Sequence, residues 1–425
     1  MSRPTPHSAF RTPHLKRLVP LLLDWFVLNA RDLPWRRTRD PYAIWVSEIM
    51  LQQTQVKTVI PFWNRWMREL PTIEAVAKAS PAKIHKLWEG LGYYTRVRNL
   101  QKAAKQIVAD CRRRGDEFRI KIGNPSETPH VVSYNFPEQF DEVLALPGIG
   151  RYTAGAICSI AFNQPTPILD GNVIRVLTRI FGIGGNPKEK KTNARLWRLA
   201  EELVSLAGGA RLRRAQIGYY SSTESRPTDQ QSCSHLNQSL MELGALICTP
   251  RNPQCRICPV KKLCVAFRDN RVEELPNLGK RETATARRFA AFVVERKGRF
   301  LVRQRPAGVV NAHLWEFPNV ETTNGKSDLE LAAKDIFGIA PVRIEPLCVV
   351  KHSITRYRIT LNAFRVSSGG TISTSLHSEK TKSGTRETRP SEKAGVWRTP
   401  AQMQSLAFTS AYRKVLDALT DGATR

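Results

Sequence analysis

The heptapeptide Leu146-Pro147-Gly148-Ile149-Gly150-Arg151-Tyr152 leaves the backbone few options. Pro147 fixes its own φ, and Gly148 and Gly150 open the region of positive φ, so the chain must turn tightly here. Phe140, Val143 and Leu144 before it, and Ala154, Ile157, Cys158 and Ala161 after it, recur at helical spacing and predict two amphipathic helices flanking the turn. A glycine turn that opens a helix aims backbone N–H groups at an anion. The chain carries 66 Lys and Arg against 37 Asp and Glu, a formal charge of +29, so the natural anion is a nucleic-acid phosphate. Two core helices joined by a glycine turn satisfy the heptapeptide equally well, and a merely solubilising surface would also carry charge.

A second stretch, Pro167-Ile168-Leu169-Asp170-Gly171-Asn172-Val173, ends an apolar run and opens a helix with Val173, Val176, Leu177 and Ile180 on one face. Asp170 stands at the N-cap position, where an Asp ordinarily does no more than cap. Taken together, "LPGIGRYTAGAICSIAF" and "PILDGNVIRVLTR" resemble the helix-hairpin-helix DNA glycosylase superfamily, with its Gly/Pro loop and following Asp. The resemblance makes Asp170 a catalytic candidate and places Gly148 and Gly150 against DNA.

At 425 residues the chain is expected to hold two or three domains with real cores. The longest apolar run, "LVPLLLDWFVL", is interrupted by Asp24 and falls short of the roughly 20 residues of a membrane span. No membrane partner is expected. The first 23 residues carry Arg3, Arg11, Lys16 and Arg17 and no acid, a composition shared with mitochondrial transit peptides. Leu15, Leu18, Val19, Leu22 and Phe26 read as a domain's first helix, which is the preferred reading.

From Asp40 to Thr54 the pattern predicts one helix, with Asp40 as its cap, Pro41 in its first turn and Tyr42, Trp45, Val46, Ile49 and Met50 as its buried stripe. Glu48, Gln52 and Gln55 line another face, and periodicity alone makes that face solvated. The wording "LPWRRTRDPYAIWVSEIMLQQTQVKTVIPFW" resembles the amino-terminal block of the adenine DNA glycosylase (MutY) family. That resemblance implies that Glu48 is the catalytic carboxyl, that Gln53 wedges into the duplex, and that Leu33, Trp35 and Arg36 line an adenine pocket. Further on, a short helix after Ser80-Pro81 ends at Gly90, and "GLGYY" sets Tyr93 and Tyr94 on a turn before a helix faced by Val97, Leu100, Ala104, Ile107 and Cys111. The tyrosines suit either the core or stacking on bases beside Arg96 and Arg98; the resemblance makes Tyr93 the intercalating one.

Residues 115–136 lack periodicity and read as an inserted surface loop, and Gly208 to His235 form a second irregular stretch. Cys248, Cys255, Cys258 and Cys264 then form a C-x6-C-x2-C-x5-C run. Thiolates so spaced hold a 4Fe-4S cluster or zinc, and an intracellular protein would not be expected to pair them as disulfides. The run matches the cluster loop of the endonuclease III and MutY group, and the resemblance implies a structural, DNA-positioning 4Fe-4S cluster. Arg251, Arg256, Lys261 and Lys262 interleave with the ligands and suit phosphate contact. Cys111, Cys158, Cys233 and Cys348 show no ligand spacing.

Residues 269–288 read as a linker. Beyond it, "RRFAAFVVERKGRFLVRQRP" predicts a hairpin around Lys297-Gly298, "YRITLNAFRV" another strand, and Tyr412, Val415, Leu416 and Leu419 a terminal helix. This part resembles the Nudix-like domain of the MutY family; nothing in 318–340 supplies the R-E-x-x-E-E cluster of a Mg²⁺ site, so no nucleotide hydrolysis is expected. The family reads 8-oxoguanine with a short loop, here His352 to Tyr357. Ser353 and Thr355 are the candidate contacts, and Arg356 departs from the usual histidine. Residues 367–395, rich in Ser, Thr, Gly and Lys, read as a flexible loop.

The expected fold is multidomain: an all-α helix-hairpin-helix glycosylase core with an iron-sulfur loop over 1–268, then an α+β Nudix-like domain over 289–425. The resemblance implies a monofunctional enzyme. Glu48 would protonate adenine N7, Asp170 would stabilise charge at the sugar, and Tyr152 and Asn172 would complete the shell, with Gln238 near the adenine. Tyr152 stands where the bifunctional lyases carry a Schiff-base lysine. The expected partner is double-stranded DNA with adenine opposite 8-oxoguanine or guanine, bound by a monomer inside the cell, in the cytoplasm or nucleoid of a bacterium or the nucleus or mitochondrion of a eukaryote. A non-catalytic helix-hairpin-helix binding protein and a thymine mismatch glycosylase are the rival readings.

Overall fold

The structure, a computed structural model, describes residues 11–114, 117–120, 131–209, 231–279, 283–322, 327–338, 341, 343–354, 356–367 and 395–421. Contacts divide the chain into two units, Met1–Lys78 with Arg98–Arg281, and Ala79–Val97 with Glu282–Arg425.

The first unit opens with α1 (Arg11–Asn29), the Pro34–Arg36 3-10 turn, α2 (Pro41–Leu51), α3 (Val56–Glu69) and α4 (Ile73–Lys78). Helix α5 (Pro81–Trp88) and the turn after it belong to the second unit, and α6 (Thr95–Arg114) follows. As read from the pattern, Asp40 caps α2 by accepting from the Tyr42 amide at 3.0 Å. The helix stops three residues short of Thr54, because Gln52 leaves helical ψ and Gln53 takes φ 58°. Gln55 therefore stands at the N-cap position of α3, without a side-chain capping bond, and shares no face with Glu48. The expected stripe is too narrow, since every residue from Tyr42 to Met50 is buried. The face read as solvated holds Glu48 at 5% exposure.

Residues 115–136 are not all loop. Within them β1 (Glu117–Ile120) pairs antiparallel with β2 (Val131–Tyr134). Strands of four residues are too short for alternation to register in the sequence. Then come α7 (Phe140–Leu144), α8 (Arg151–Phe162), α9 (Gly171–Ile180), α10 (Lys190–Gly209), α11 (Ser232–Leu246) and α12 (Val265–Arg268). The irregular stretch from Gly208 to His235 is helical at both ends, in α10 and α11, and residues 210–230 lie outside those described. One core joins Leu15, Leu18 and Leu22 of α1 to Val173 and Val176 of α9, Leu199 and Leu203 of α10 and Leu240 of α11. The hairpin turn sits between α7 and α8. Gly148 has φ 80°, and a Cβ on it would lie 2.5 Å from Asn99 Cβ, so glycine is required there. Gly150, at φ −98°, is the extended N-cap of α8 and has no need of positive φ.

In the second unit, β3 (Thr285–Arg296), β4 (Arg299–Gln304), β5 (Trp315–Glu316), β6 (Asn319–Glu321), α13 (Ser327–Phe337), β7 (Arg343–Ile354), β8 (Tyr357–Ser367), β9 (Val396–Arg398), α14 (Pro400–Ser405) and α15 (Ser410–Asp421) form a seven-stranded sheet with helices. Regular strand begins at Thr285, inside the stretch read as linker. Lys297 and Gly298, at φ 51° and 69°, make the two-residue turn between β3 and β4. The main order is β5-β4-β3-β8-β7, with β3 and β8 parallel. Ala291 and Val293 face a core with Tyr412, Val415 and Leu416 of α15, while Ala290, Phe292 and Val294 face one with Ala333 and Phe337 of α13. Covered on both faces, β3 reads as the continuous apolar run "FAAFVV" instead of an alternation.

Candidate active site and cysteine centre

Four expected site residues gather in the first unit around the start of α9. Glu48 lies midway along an apolar helix, so packing buries its carboxyl, and the Tyr152 hydroxyl donates to Oε2 at 2.9 Å while also lying 3.3 Å from Met241 Sδ. Burial pushes the Glu48 carboxyl from 4.5 up to about 7; the Tyr152 hydrogen bond opposes this, the neighbouring Asp170 charge adds to it and Arg36 opposes it. Asp170 is the N-cap of α9, as read from the pattern, and Oδ1 accepts from the Val173 amide at 2.7 Å while Oδ2 accepts from Asn172 Nδ2 at 3.1 Å. Burial leaves the Asp170 carboxyl raised as well, against the opposing bonds from Val173 and Asn172 and the charge of Arg175. The two carboxyls thus occupy different surroundings. Glu48 has one donor in an apolar setting, and Asp170 sits at a helix N-terminus that favours an anion.

Arg175 was not singled out in the sequence. It donates to Asn172 Oδ1 at 2.8 Å, Gly244 O at 2.8 Å and Cys248 O at 2.7 Å. This is possible because Gly244 approaches Asn172 so closely that a Cβ there would lie 2.7 Å from Asn172 Cβ. Also missed was Glu242, 1% exposed and chelated by Arg31 and Arg36, with Arg31 Nη2 at 2.7 Å and Arg36 Nη2 at 2.9 Å from Oε2. Burial alone would raise its carboxyl, but the hydrogen bonds and charges of the two arginines hold it at about 2. Arg36 Nε also donates to Gln238 Oε1 at 3.1 Å, which joins two expected pocket residues across 202 positions. Leu33 and Trp35 are buried beside it, with Trp35 edge-on to Trp63.

The remaining expected residues lie apart. Gln53 is exposed in its left-handed turn between α2 and α3. In the second unit the two tyrosines divide, Tyr94 being 3% exposed and Tyr93 41% exposed at φ 47°. Ser353 is an exposed residue of β7 opposite Arg358 of β8, so the connection is shorter than the expected loop; Thr355 lies outside the described residues.

Cys248, Cys255, Cys258 and Cys264 line one cavity with Val176, Arg179, Ile180 and Leu243. Burial pushes the Cys258 thiol up to about 12, and the neighbouring thiolates of Cys248, Cys264 and Cys255 add to the rise. Four thiols that repel one another as thiolates are suited to a cationic centre. Among the described residues no three His, Cys, Asp or Glu side chains are placed to hold a single metal ion. Arg179, 2% exposed, donates to Thr249 O at 2.8 Å and lies 3.4 Å from Cys248 Sγ. Arg251, Arg256, Lys261 and Lys262 are exposed around the loop. Cys111, Cys158 and Cys233 are buried elsewhere, and no described helix is long and apolar enough to cross a membrane.

Residues 46–202 match the family model of the HhH-GPD superfamily base excision DNA repair proteins, and residues 290–418 match that of the NUDIX domain. The glycine turn and the capped helix with its Asp, both inside the first match, therefore belong to a helix-hairpin-helix base-excision repair protein with a Nudix-like second part. Adenine DNA glycosylases of Mus musculus and of Buchnera aphidicola subsp. Schizaphis graminum are each 33% identical to it, over 81% and 71% of this chain and 69% and 74% of their own length. The chain belongs to the adenine DNA glycosylase family. The Rattus norvegicus adenine DNA glycosylase is 37% identical over 70% of this chain, and the match spans 59% of its length; for the Arabidopsis thaliana one it spans 46%.

Proposed function

We propose that this chain is an adenine DNA glycosylase that hydrolyses the N-glycosidic bond of adenine opposite 8-oxoguanine or guanine in double-stranded DNA, as a monomer inside the cell. The observation that carries the reading is the pair of carboxyls, buried Glu48 and half-buried Asp170, held in unlike surroundings next to Tyr152. Departure of adenine needs a proton on the base, stabilisation of positive charge on the sugar, and a water. Glu48, protonated up to neutral pH, gives its proton to N7 of the flipped-out base. Asp170, kept anionic by the helix N-terminus and Asn172, faces the developing charge at C1′. Glu48, now a carboxylate, then draws a proton from the attacking water. Leu33, Trp35, Arg36 and Gln238 bound the adenine; Gln53 and Tyr93 enter the stack; Gly148 and Gly150 let a phosphate approach α8; and Ser353 and Thr355, in the part from 289 onward, meet the lesion.

Tyr152 carries no amine, so base release is not followed by β-elimination. With a duplex holding one adenine opposite 8-oxoguanine, we expect the adenine strand to break only after alkali. A duplex with thymine opposite guanine should stay intact. Breakage without alkali would reject the monofunctional reading, and breakage of the thymine duplex alone would reject adenine as the substrate.

The four cysteines fit a 4Fe-4S cluster, because they bring four thiols to the lining of one cavity, the donor set such a cluster takes. Cys248, Cys255, Cys258 and Cys264 would hold the cluster through their thiolates, and its iron core would tie the two ends of their loop together. The exposed Arg251, Arg256, Lys261 and Lys262 of the same loop contact phosphates. Cys258→Ser is expected to lose visible absorbance and bound iron and to weaken duplex binding. Iron content and affinity at two salt concentrations check this, and zinc in the purified protein would reject the assignment.

A further inference from the structure

We infer that Arg413, on the C-terminal helix α15, is a positioning residue for Tyr93, acting through Glu89; the inference rests on the reading of Tyr93 as a residue that stacks in the duplex. The backbone after α5 runs through positive φ, with Gly90, Gly92 and Tyr93 at 107°, 68° and 47°, and the strain falls on the tyrosine. Tyr93 is the non-glycine among them and holds an exposed aromatic ring in the left-handed region. Such a conformation persists only where its surroundings fix it.

The fixing comes from both sides of Tyr93 and from one partner segment. Before the turn, Glu89 Oε1 accepts from the Phe408 amide at 2.9 Å and from Arg413 Nε and Nη2 at 3.0 and 2.6 Å, while Oε2 accepts from Lys86 Nζ at 2.6 Å. After the turn, the Tyr94 hydroxyl donates to Phe408 O at 3.3 Å. Arg413 is itself oriented by Leu406 O at 2.9 Å and Gln404 Oε1 at 3.0 Å. The side chains of Arg413 and Glu89 are only 18% and 13% exposed, so water screens the pair weakly. Inside the turn, Trp88 Nε1 and Arg96 Nη2 donate to Gly92 O, and the Arg96 guanidinium lies 5.7 Å from the centre of the Tyr93 ring. The aromatic residue read as entering the DNA stack is thus clamped at both flanks to the Nudix-like part of the chain.

The test is a double-mutant cycle on the full chain with Arg413→Ala and Tyr93→Ala. It reads duplex affinity and single-turnover adenine release opposite 8-oxoguanine, with melting temperature measured for each variant. Each single change is expected to lower release by about tenfold, and Arg413→Ala to add almost nothing once Tyr93 is already alanine, since coupled residues fail additivity. A purely structural Arg413 would show its loss in both backgrounds. Multiplying effects, or full activity of Arg413→Ala beside an impaired Tyr93→Ala, would overturn the coupling alone. An unimpaired Tyr93→Ala would remove the stacking reading and the coupling with it. Should Arg413→Ala fail to fold, Arg413→Lys, which keeps the charge and loses the two-pronged donation, serves in the same cycle with the same criteria.

Discussion

Glu48→Gln is expected to abolish adenine release, by roughly 10²- to 10⁴-fold as for loss of a general acid, while leaving duplex binding intact and making the protein more stable above neutral pH. The two effects share one cause. Burial lifts the carboxyl from 4.5 to about 7, so above pH 7 the folded protein must ionise a group that the unfolded chain ionises without penalty. The sign follows from proton binding: a raised carboxyl binds its proton more tightly when folded, so the penalty is absent below about pH 4.5 and complete above about pH 7. At full extent it is about 3 kcal/mol. Glutamine has no proton to lose and can still accept from the Tyr152 hydroxyl. The gain in melting temperature should therefore be clear at pH 8 and small at pH 5. In the unsubstituted protein, single-turnover release should fall as pH rises through about 7. Unchanged release by Glu48→Gln would remove Glu48 as the acid, and an equal stability gain at both pH values would contradict its raised ionisation.

Asp170→Asn separates two roles that the sequence leaves fused. Asparagine caps a helix about as well as aspartate does, so the bond from the Val173 amide and most of the stability of α9 should survive. What disappears is the negative charge. Release should fall roughly 10²- to 10³-fold, as when one electrostatic stabiliser of a transition state is removed. Asp170→Ala should show the same kinetic loss and, in addition, lose about 1 kcal/mol of stability through the missing cap. Full activity of the asparagine variant would leave Asp170 as a cap and nothing more. Melting curves and single-turnover rates of both variants give the answer.

How legible such features are depends on how local their causes are. Asp40 with Pro41, the glycine turn before α8, Asp170 at its cap, the Lys297-Gly298 turn and the stripe of α15 are all set by neighbours within a few residues, and each stood where its pattern put it. The stop of α2 was hidden because Gln52 and Gln53 leave the helix without a glycine or proline to announce it. Glu48 looked like one of several polar residues on an exposed face, and only packing on every side of α2 buries it. Glu242 and Arg175 look like ordinary charges on helices. Their weight comes from partners 211 and 73 positions away, a separation that leaves no periodic trace. Tyr93 and Tyr94 could not be ranked from composition, and the left-handed backbone at Tyr93 decides which ring is outside. The grouping of Ala79–Val97 with the last third of the chain is likewise a product of distant contacts.

The alternation along β3 reaches further than its own length. Odd and even residues of this one strand form the walls of two separate cores, one closed by α13 and the other by α15. Neither core can lose its wall without the other losing its own, so the second unit should melt in a single cooperative step. A cavity cut under α13 would then loosen the β7–β8 hairpin, whose strands line both cores, as readily as one cut under α15.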